Sequence, residues 1–152
     1  MLQTYAVRPE CYTDCFVTEV ANTVTFADYV TAFYNTPLFK LERLILRITV
    51  KRPSTDADVI ALAQGETDSF AAWTVEARAD AQILLCDLSG ATRSWLMLAH
   101  DDTTTRLFFG SAVVPRDGAK GMGLSFRLLL GAHKLYSRAL LASASRRLHR
   151  IR

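Results

Sequence analysis

Two polar aromatic side chains lie on the predicted inner face of the last helix in the sequence. Tyr136 lies almost opposite a stripe of Arg127, Lys134 and Arg138, and His133 lies about 60° from Tyr136 at the helical step. If this face is buried, the hydroxyl and the imidazole need partners, either protein groups or a ligand. An imidazole can also transfer protons while a tyrosine orients it or polarises a carbonyl. His133 and Tyr136 are therefore the catalytic candidates if the protein is an enzyme.

Arg93 is a further candidate, and its role depends on the turn that precedes it. A two-residue turn at positions 89 and 90 pairs Arg93 with Cys86 on an apolar face beside Trp73. There the guanidinium would bind a carboxylate or a phosphate. A three-residue turn pairs it instead with Asp87 on the other face, as an ordinary cross-strand ion pair. The cost of burying an unpaired charge favours this second register.

Apolar clefts with a few polar groups are typical of small-molecule sites. The residues that would line such a site are Trp73, Arg93, Trp95, His133 and Tyr136. No GxGxxG, GxSxG or Walker-type loop is present in the sequence. Cys11 and Cys15 lack the CxxC spacing of a zinc site. We therefore expect neither a cofactor nor a metal.

Composition is typical of one domain. Half of the 152 residues are apolar, which is enough to bury a core. The sequence has no secretory signal pattern and no apolar run of about 18 residues, which predicts a cytoplasmic protein. Its three cysteines are an odd number, which favours reduced thiols over a disulfide framework.

The net charge of +3 comes from the C-terminal end. Residues 134–152 hold six of the 18 Lys and Arg residues and no acid, so the preceding part has an acidic balance. We predict a domain over residues 1–145 and a basic tail over residues 146–152. The tail could contact an anionic membrane surface or an acidic partner weakly. The residues that would do so are Arg146, Arg147, Arg150 and Arg152. No aromatic residue interleaves with these charges, so nucleic acid is not an expected partner.

The hydrophobic pattern predicts one strand, three helices, four strands and one long helix, in that order. The first strand covers residues 13–21. Thr25 caps the first helix, Pro37 begins the second, and the third is capped by Ser54 or Thr55 and stops at Gly65. The second helix carries an apolar stripe formed by Leu38, Leu41, Ile45 and Ile48.

The four strands between Ser69 and Val114 are predicted to form an antiparallel meander. A two-residue turn at positions 79 and 80 would place Val75 opposite Leu84 and Trp73 opposite Cys86 on one apolar face. Such a face needs a cover, and a helix that is apolar around most of its circumference needs a concave partner. We therefore predict an α+β fold in which a curled antiparallel sheet of about five strands packs around the C-terminal helix.

The last helix is predicted to run from near Leu124 to near Ser145. Its wide apolar arc would pack on the sheet through Leu129, Ala132, Tyr136 and Leu140.

This arrangement resembles the helix-grip fold of START-type lipid carriers, birch-pollen-type plant allergens and aromatic polyketide cyclases. The stretches WTVEARADAQILLCD (73–87) and FRLLLGAHKLYSRALLASA (126–144) are similar to an uncharacterised bacterial domain family of unknown function. Members tend to carry a His-Leu-Asp-like run where this sequence has LSGATRSWL (88–96).

The expected function is binding of a small, mostly apolar ligand between the sheet and the last helix. A cyclase- or hydrolase-like enzyme that uses the same cavity is one alternative, and an interaction through the basic tail is another. The sequence leaves the oligomeric state open.

Overall fold

The computed structural model describes the backbone at positions 1–21, 23–49, 51, 53–115 and 124–149. Side chains are described at the same positions except 42, 45–49, 124–130 and 132. The helices are α1 (Gln3–Ala6), α2 (Phe26–Tyr34), α3 (Pro37–Thr49), α4 (Asp56–Gln64) and α5 (Leu124–Leu148). The strands are β1 (Tyr12–Val20), β2 (Ser69–Phe70), β3 (Trp73–Ala79), β4 (Gln82–Asp87), β5 (Thr92–His100) and β6 (Thr105–Val113).

The predicted α+β class and the curled antiparallel sheet are confirmed, with one strand more than expected. The strand order is β1-β6-β5-β4-β3-β2, and every neighbouring pair is antiparallel. The additional strand is β2, a two-residue segment that pairs with the start of β3. Helix α1 was also not predicted, since four residues carry too little periodicity to be recognised in a sequence.

The three helix starts that the sequence predicted are observed. The Thr25 side chain accepts a hydrogen bond from the backbone N–H of Asp28 at 3.1 Å, and α3 begins at Pro37. Thr55 and Asp58 form a reciprocal capping box at the start of α4, so Thr55 rather than Ser54 is the cap. Helix α4 stops at Gly65, whose φ of 79° lies in the left-handed region that favours glycine.

The predicted register between β3 and β4 is wrong. The turn lies one position later than expected, because Ala79 pairs with Gln82, and a bulge interrupts β3 between Val75 and Ala77. Beyond the bulge Val75 pairs with Leu85 instead of Leu84. A slip of one residue moves a side chain to the other face of a sheet, so Leu84 and Cys86 leave the face assigned to them.

The two faces of the sheet bury different clusters. The inner face, which includes Ile83, Leu85, Leu96 and Phe109, packs in the main core with side chains of α2 and α5. The outer face packs Leu84, Trp95 and Ala112 beneath Leu2 and Tyr5, which belong to the α1 region. The long C-terminal helix therefore has a concave partner, and the short first helix covers the opposite surface.

Helix α5 packs on the inner face largely as predicted. Leu140 is 2% exposed, whereas Lys134 and Arg138 of the polar stripe are exposed. The predicted contacts of Arg127, Leu129 and Ala132 concern side chains outside the described part of the chain.

The C-terminal end of α5 differs from the prediction. The helix continues to Leu148, which is buried, and the guanidinium of Arg147 donates to the backbone oxygen of Asn35 at 3.4 Å. The predicted boundary between residues 145 and 146 therefore falls inside a packed helix, whose buried side chain at Leu148 anchors its last turn. Arg150 and Arg152 lie outside the described residues. Among the described helices, none combines the length and the apolar character that crossing a bilayer requires.

Candidate functional site

A cavity of about 210 Å³ lies between the inner face of the sheet and helices α2, α3 and α5. Its apolar part is formed by Phe33, Phe39, Phe109 and Leu140. The remaining lining residues are Trp73, Thr92, Arg93, Ser94, Ser111, Ala112, Val113, His133 and Tyr136. The cavity is therefore apolar beside α2 and α3, and it carries polar groups on α5 and along one end of the sheet.

Strand pairing creates the polar end. Asp14 of β1 pairs with Ser111 of β6, and Ser111 pairs with Ser94 of β5, so the three side chains form one row across three strands. Paired residues share a face, and Ser94 also pairs with Leu85, which lies in the main core. The row therefore points inward, next to apolar neighbours.

His133 of α5 contacts this row from the helix that packs on the sheet. Its Nε2 lies 2.8 Å from Oγ of Ser111 and 3.6 Å from Oδ2 of Asp14. The Ser111 hydroxyl in turn donates to Oδ1 of Asp14 at 2.6 Å, and Tyr12 donates to Oδ2 at 3.1 Å. The Asp14 side chain is only 9% exposed, so these hydrogen bonds replace the water that it has lost.

The donor and acceptor in each of these hydrogen bonds determine the chemistry of the cluster. A serine hydroxyl has one proton, and when it donates to ionised Asp14 it can only accept from His133. In the Ser-His-Asp arrangement of hydrolases the aspartate contacts Nδ1 and the serine contacts Nε2. Here both contact Nε2, so Ser111 is held by the carboxylate and is not activated as a nucleophile. The cluster instead fixes the imidazole of His133 at the cavity wall, with its Nε2–H directed to Ser111.

Asp14 also affects the titration of Tyr12. Burial, the negative charge of Asp14 and the hydrogen bond to it together raise the pKa of Tyr12 from 10.0 to about 12. A raised acid pKa means that the folded state retains a proton that the unfolded chain loses. The contribution to stability is complete below about pH 10 and is lost as the pH rises to about 12.

We therefore expect Tyr12→Phe to flatten the alkaline fall in stability between those two pH values. The measurement is the free energy of unfolding at a series of pH values for both proteins. Ultraviolet titration of the phenolate signal should lose the component that titrates near pH 12 in Tyr12→Phe. An unchanged alkaline slope would contradict this account of the Tyr12–Asp14 contact.

Trp73 contributes an N–H donor to the cavity lining. Its indole Nε1 is buried, and among the described residues it has no hydrogen-bond partner, although Trp73 lines the cavity. An indole N–H can only donate, and leaving it unsatisfied costs about 1–3 kcal/mol. A ligand atom that accepts hydrogen bonds would recover this cost.

The predicted lining residues divide between the two faces. Trp73, His133 and Tyr136 line the cavity, as the sequence analysis expected. Trp95 does not, because it lies on the outer face in the cluster with Leu2, and its Nε1 donates to Gln82 at 3.1 Å. The wrong strand register explains this error.

Arg93 borders the cavity, but its guanidinium makes its contacts on the outer face of the sheet. It pairs with Cys86, as one of the two predicted registers required, and not with Asp87. Its Nε donates to Glu76 at 3.0 Å, and its guanidinium lies 4.9 Å from the ring centre of Tyr5. Arg93 is therefore neither an anion clamp in the cavity nor a partner of Asp87.

Asp87 caps the turn between β4 and β5 instead of pairing with Arg93. It accepts hydrogen bonds from the backbone N–H groups of Ala91 and Thr92 and from the hydroxyl of Ser89. Burial alone would raise the pKa of Asp87, but these hydrogen bonds lower it below its usual value.

The sequence analysis missed Asp14 and Ser111. The two residues are 97 positions apart, and no local pattern distinguishes them from other polar residues in strands. Pairing the first strand with the last would have revealed them, since it is the expected closure of a curled sheet. Within the described part of the chain, no three His, Cys, Asp or Glu side chains cluster as a metal site requires.

No family model and no curated protein matches this sequence, so membership of the uncharacterised bacterial family stays a prediction. Among solved structures, the crystal structure of Ara h 8.0201 matches with a TM-score of 0.40 and 7% sequence identity. The match covers 88% of this chain and 96% of that chain. The chain's own architecture, a six-stranded curled antiparallel sheet with a long C-terminal helix on its inner face, is that of a helix-grip fold.

Proposed function

We propose that this protein binds a small, uncharged, mostly apolar molecule that carries a hydrogen-bond acceptor. The observation that supports this most is a cavity whose apolar side faces a row of polar groups. Phe33, Phe39 and Phe109 provide the apolar side, and Trp73 provides an unsatisfied N–H donor. Convergent polar groups in an apolar cavity are typical of small-molecule sites.

The volume limits the ligand to roughly one or two rings. An apolar cavity of about 150 Å³ is known to hold benzene, and drug-sized ligands occupy about 300–1,000 Å³. At about 210 Å³ this cavity lies between the two. A substituted single ring or a small bicyclic molecule fits, whereas a long acyl chain does not.

The charges around the cavity favour a neutral ligand over an acid. The permanent cation at its border, Arg93, is paired with Glu76 on the outer face. The carboxylate of Asp14 lies behind Ser111 and His133. Arg93 is the one Lys or Arg among the described lining residues, so a ligand carboxylate would approach this negative charge uncompensated by them, and it would lose its hydration. A ketone, lactone or amide oxygen avoids that cost.

Catalysis in the same cavity remains the second proposal. With its Nε2–H directed to Ser111, a neutral His133 keeps a lone pair on Nδ1, so the histidine would act as a general base while Tyr136 polarises a ligand carbonyl. The step would be transfer of a proton from the carbon next to the bound carbonyl to His133, with Tyr136 stabilising the enolate oxygen. Such an enzyme would convert a bound ketone, whereas a carrier would return it unchanged.

A panel of size-matched ring compounds tests the binding proposal. We expect aryl ketones to raise the melting temperature more than the corresponding hydrocarbons, with the corresponding carboxylic acids least effective. Trp73→Phe should weaken ketone binding about fivefold, the value of one hydrogen bond, and affect hydrocarbon binding less. Trp95→Phe, on the outer face and away from the cavity lining, is the matched control. Stronger binding of the acids, or no shift with any compound, would contradict the proposal.

A further inference from the structure

Helix α3 turns Leu41 and Leu44 toward solvent and Arg43 toward the protein. Leu41 and Leu44 are 54% and 50% exposed, whereas Phe39 is 3% and Arg43 is 8% exposed. A surface helix normally buries its apolar stripe and exposes its charges. At Leu41 the apolar stripe that the sequence predicts for α3 therefore faces away from the core.

The contacts of Arg43 hold the helix in this rotation. Its guanidinium donates to Oδ1 of Asp56 at 2.8 Å and to the backbone oxygen of Ser54 at 2.7 Å, and its Nε donates to the Ser54 hydroxyl at 3.0 Å. A fourth hydrogen bond, from the nitrogen that also donates to Asp56, reaches Oδ1 of Asn35 at 3.3 Å. Rotating α3 to bury Leu41 would break this network, so the exposure of the leucines is part of the fold.

Basic residues surround the exposed leucines in the sequence. Between Pro37 and Pro53 the chain carries five cations and one acid, Glu42. The cations are Lys40, Arg43, Arg47, Lys51 and Arg52, of which Arg43 is buried against Asp56 and does not belong to the flank. Lys51 is exposed, and Lys40 is exposed beside Asp56. An amphipathic helix with a basic flank is the pattern of helices that lie in the surface of an anionic membrane.

We propose that α3 docks on the surface of an anionic lipid bilayer, with Leu41 and Leu44 entering the boundary between headgroups and acyl chains. Charge complementarity favours this occupant over a second copy of the chain. A symmetric dimer through α3 would bring two sets of cations together, whereas anionic lipids neutralise them. Moving the exposed leucines from water to the bilayer boundary also lowers the free energy, because their apolar surface leaves water.

The docked orientation has a consequence for the cavity. Phe39, on the opposite side of α3 from Leu41, lines the cavity. A bilayer against α3 would therefore lie one helix diameter from the cavity, about 10 Å. Docking does not depend on the ligand proposal, since it follows from the exposed leucines and the basic flank alone.

Vesicle flotation of the full chain tests this proposal. We expect binding to phosphatidylcholine vesicles that contain about one third phosphatidylglycerol, weak binding to pure phosphatidylcholine, and loss of binding at high salt. The double variant L41S/L44S should lower the fraction bound at least about tenfold. Its melting temperature should stay close to the original value, because both side chains are half exposed.

Two controls separate α3 from other surfaces. Val17→Ser replaces an apolar side chain that is 57% exposed on β1 and should bind like the original chain. R150S/R152S removes two cations predicted to contact membranes and should retain most of the binding. Retained binding by L41S/L44S, or loss only in R150S/R152S, would overturn the proposal. So would a dimer in light scattering that dissociates in L41S/L44S, because the face would then be an interface between copies.

Discussion

Leu140→Ala is expected to lower the free energy of unfolding by about 2–5 kcal/mol. Leu140 is 2% exposed in the main core and also lines the cavity. Removing its three outer carbons loses apolar burial and enlarges a space that the surrounding strands cannot collapse to fill. Urea unfolding at neutral pH measures the change.

Leu135→Ala on the same helix is the matched control. Leu135 is 72% exposed, so its truncation should change stability by less than about 0.5 kcal/mol. The contrast between the two leucines measures which side of α5 packs on the sheet. Equal effects at both positions, or a larger loss at Leu135, would contradict the placement of α5.

Gly110→Ala is expected to destabilise the protein by about 1–3 kcal/mol through overpacking. A Cβ atom at Gly110 would lie 2.5 Å from Cδ2 of Leu2, 2.9 Å from the backbone oxygen of Asp14 and 3.0 Å from Cε3 of Trp95. Leu2 can move, but the backbone of β1 is fixed by pairing with β6. The outer face therefore requires a glycine where α1 crosses it.

Gly131→Ala should stabilise the protein, in contrast to Gly110→Ala. A Cβ atom there meets no atom of the described side chains within 4 Å, and the position lies inside helix α5. Alanine should therefore raise stability by about 0.5–1 kcal/mol, the usual helical difference from glycine. Chemical unfolding of the two variants side by side tests both signs. Stabilisation by Gly110→Ala would show that α1 does not lie on the outer face.

The elements that the sequence predicted well have their determinants close together in the chain. Thr25, Pro37 and Thr55 each begin a helix through contacts within three residues or through a fixed backbone angle, so their effect is visible locally. Helical geometry also brought His133 and Tyr136 to the cavity wall, because a helix face follows from residue spacing alone.

The errors arise where the pairing of one residue decides which face of the sheet the side chains occupy. The bulge between Val75 and Ala77 and the later turn at positions 80 and 81 shift the strand register. This shift sends Trp95 and the charge of Arg93 to the outer face. A bulge has no sequence signature strong enough to predict, and the alternation of a strand converts one misplaced residue into a wrong face for all that follow.

The polar end of the cavity could not be predicted for a different reason. Asp14, Ser111 and His133 come from the first strand, the last strand and the last helix, and they meet only because the sheet closes. The exposure of Leu41 on α3 is also a tertiary effect, because it depends on the burial of Arg43 by residues of a different segment.

The most direct test of the ligand cavity is to fill it. Ser94 is 8% exposed and lines the cavity next to Ser111. A phenylalanine side chain in Ser94→Phe should therefore occupy the space that the ligand needs. Calorimetric titration and melting temperature should be measured with the best ketone of the panel, for the original chain and for Ser94→Phe. At a ligand concentration of about 100 times Kd, the original chain should gain about 2.7 kcal/mol, a rise of roughly 5–10 °C. Ser94→Phe should show no heat of binding and no rise, while remaining folded without the ligand. Undiminished binding by folded Ser94→Phe would contradict the account, because the ligand would then occupy another site.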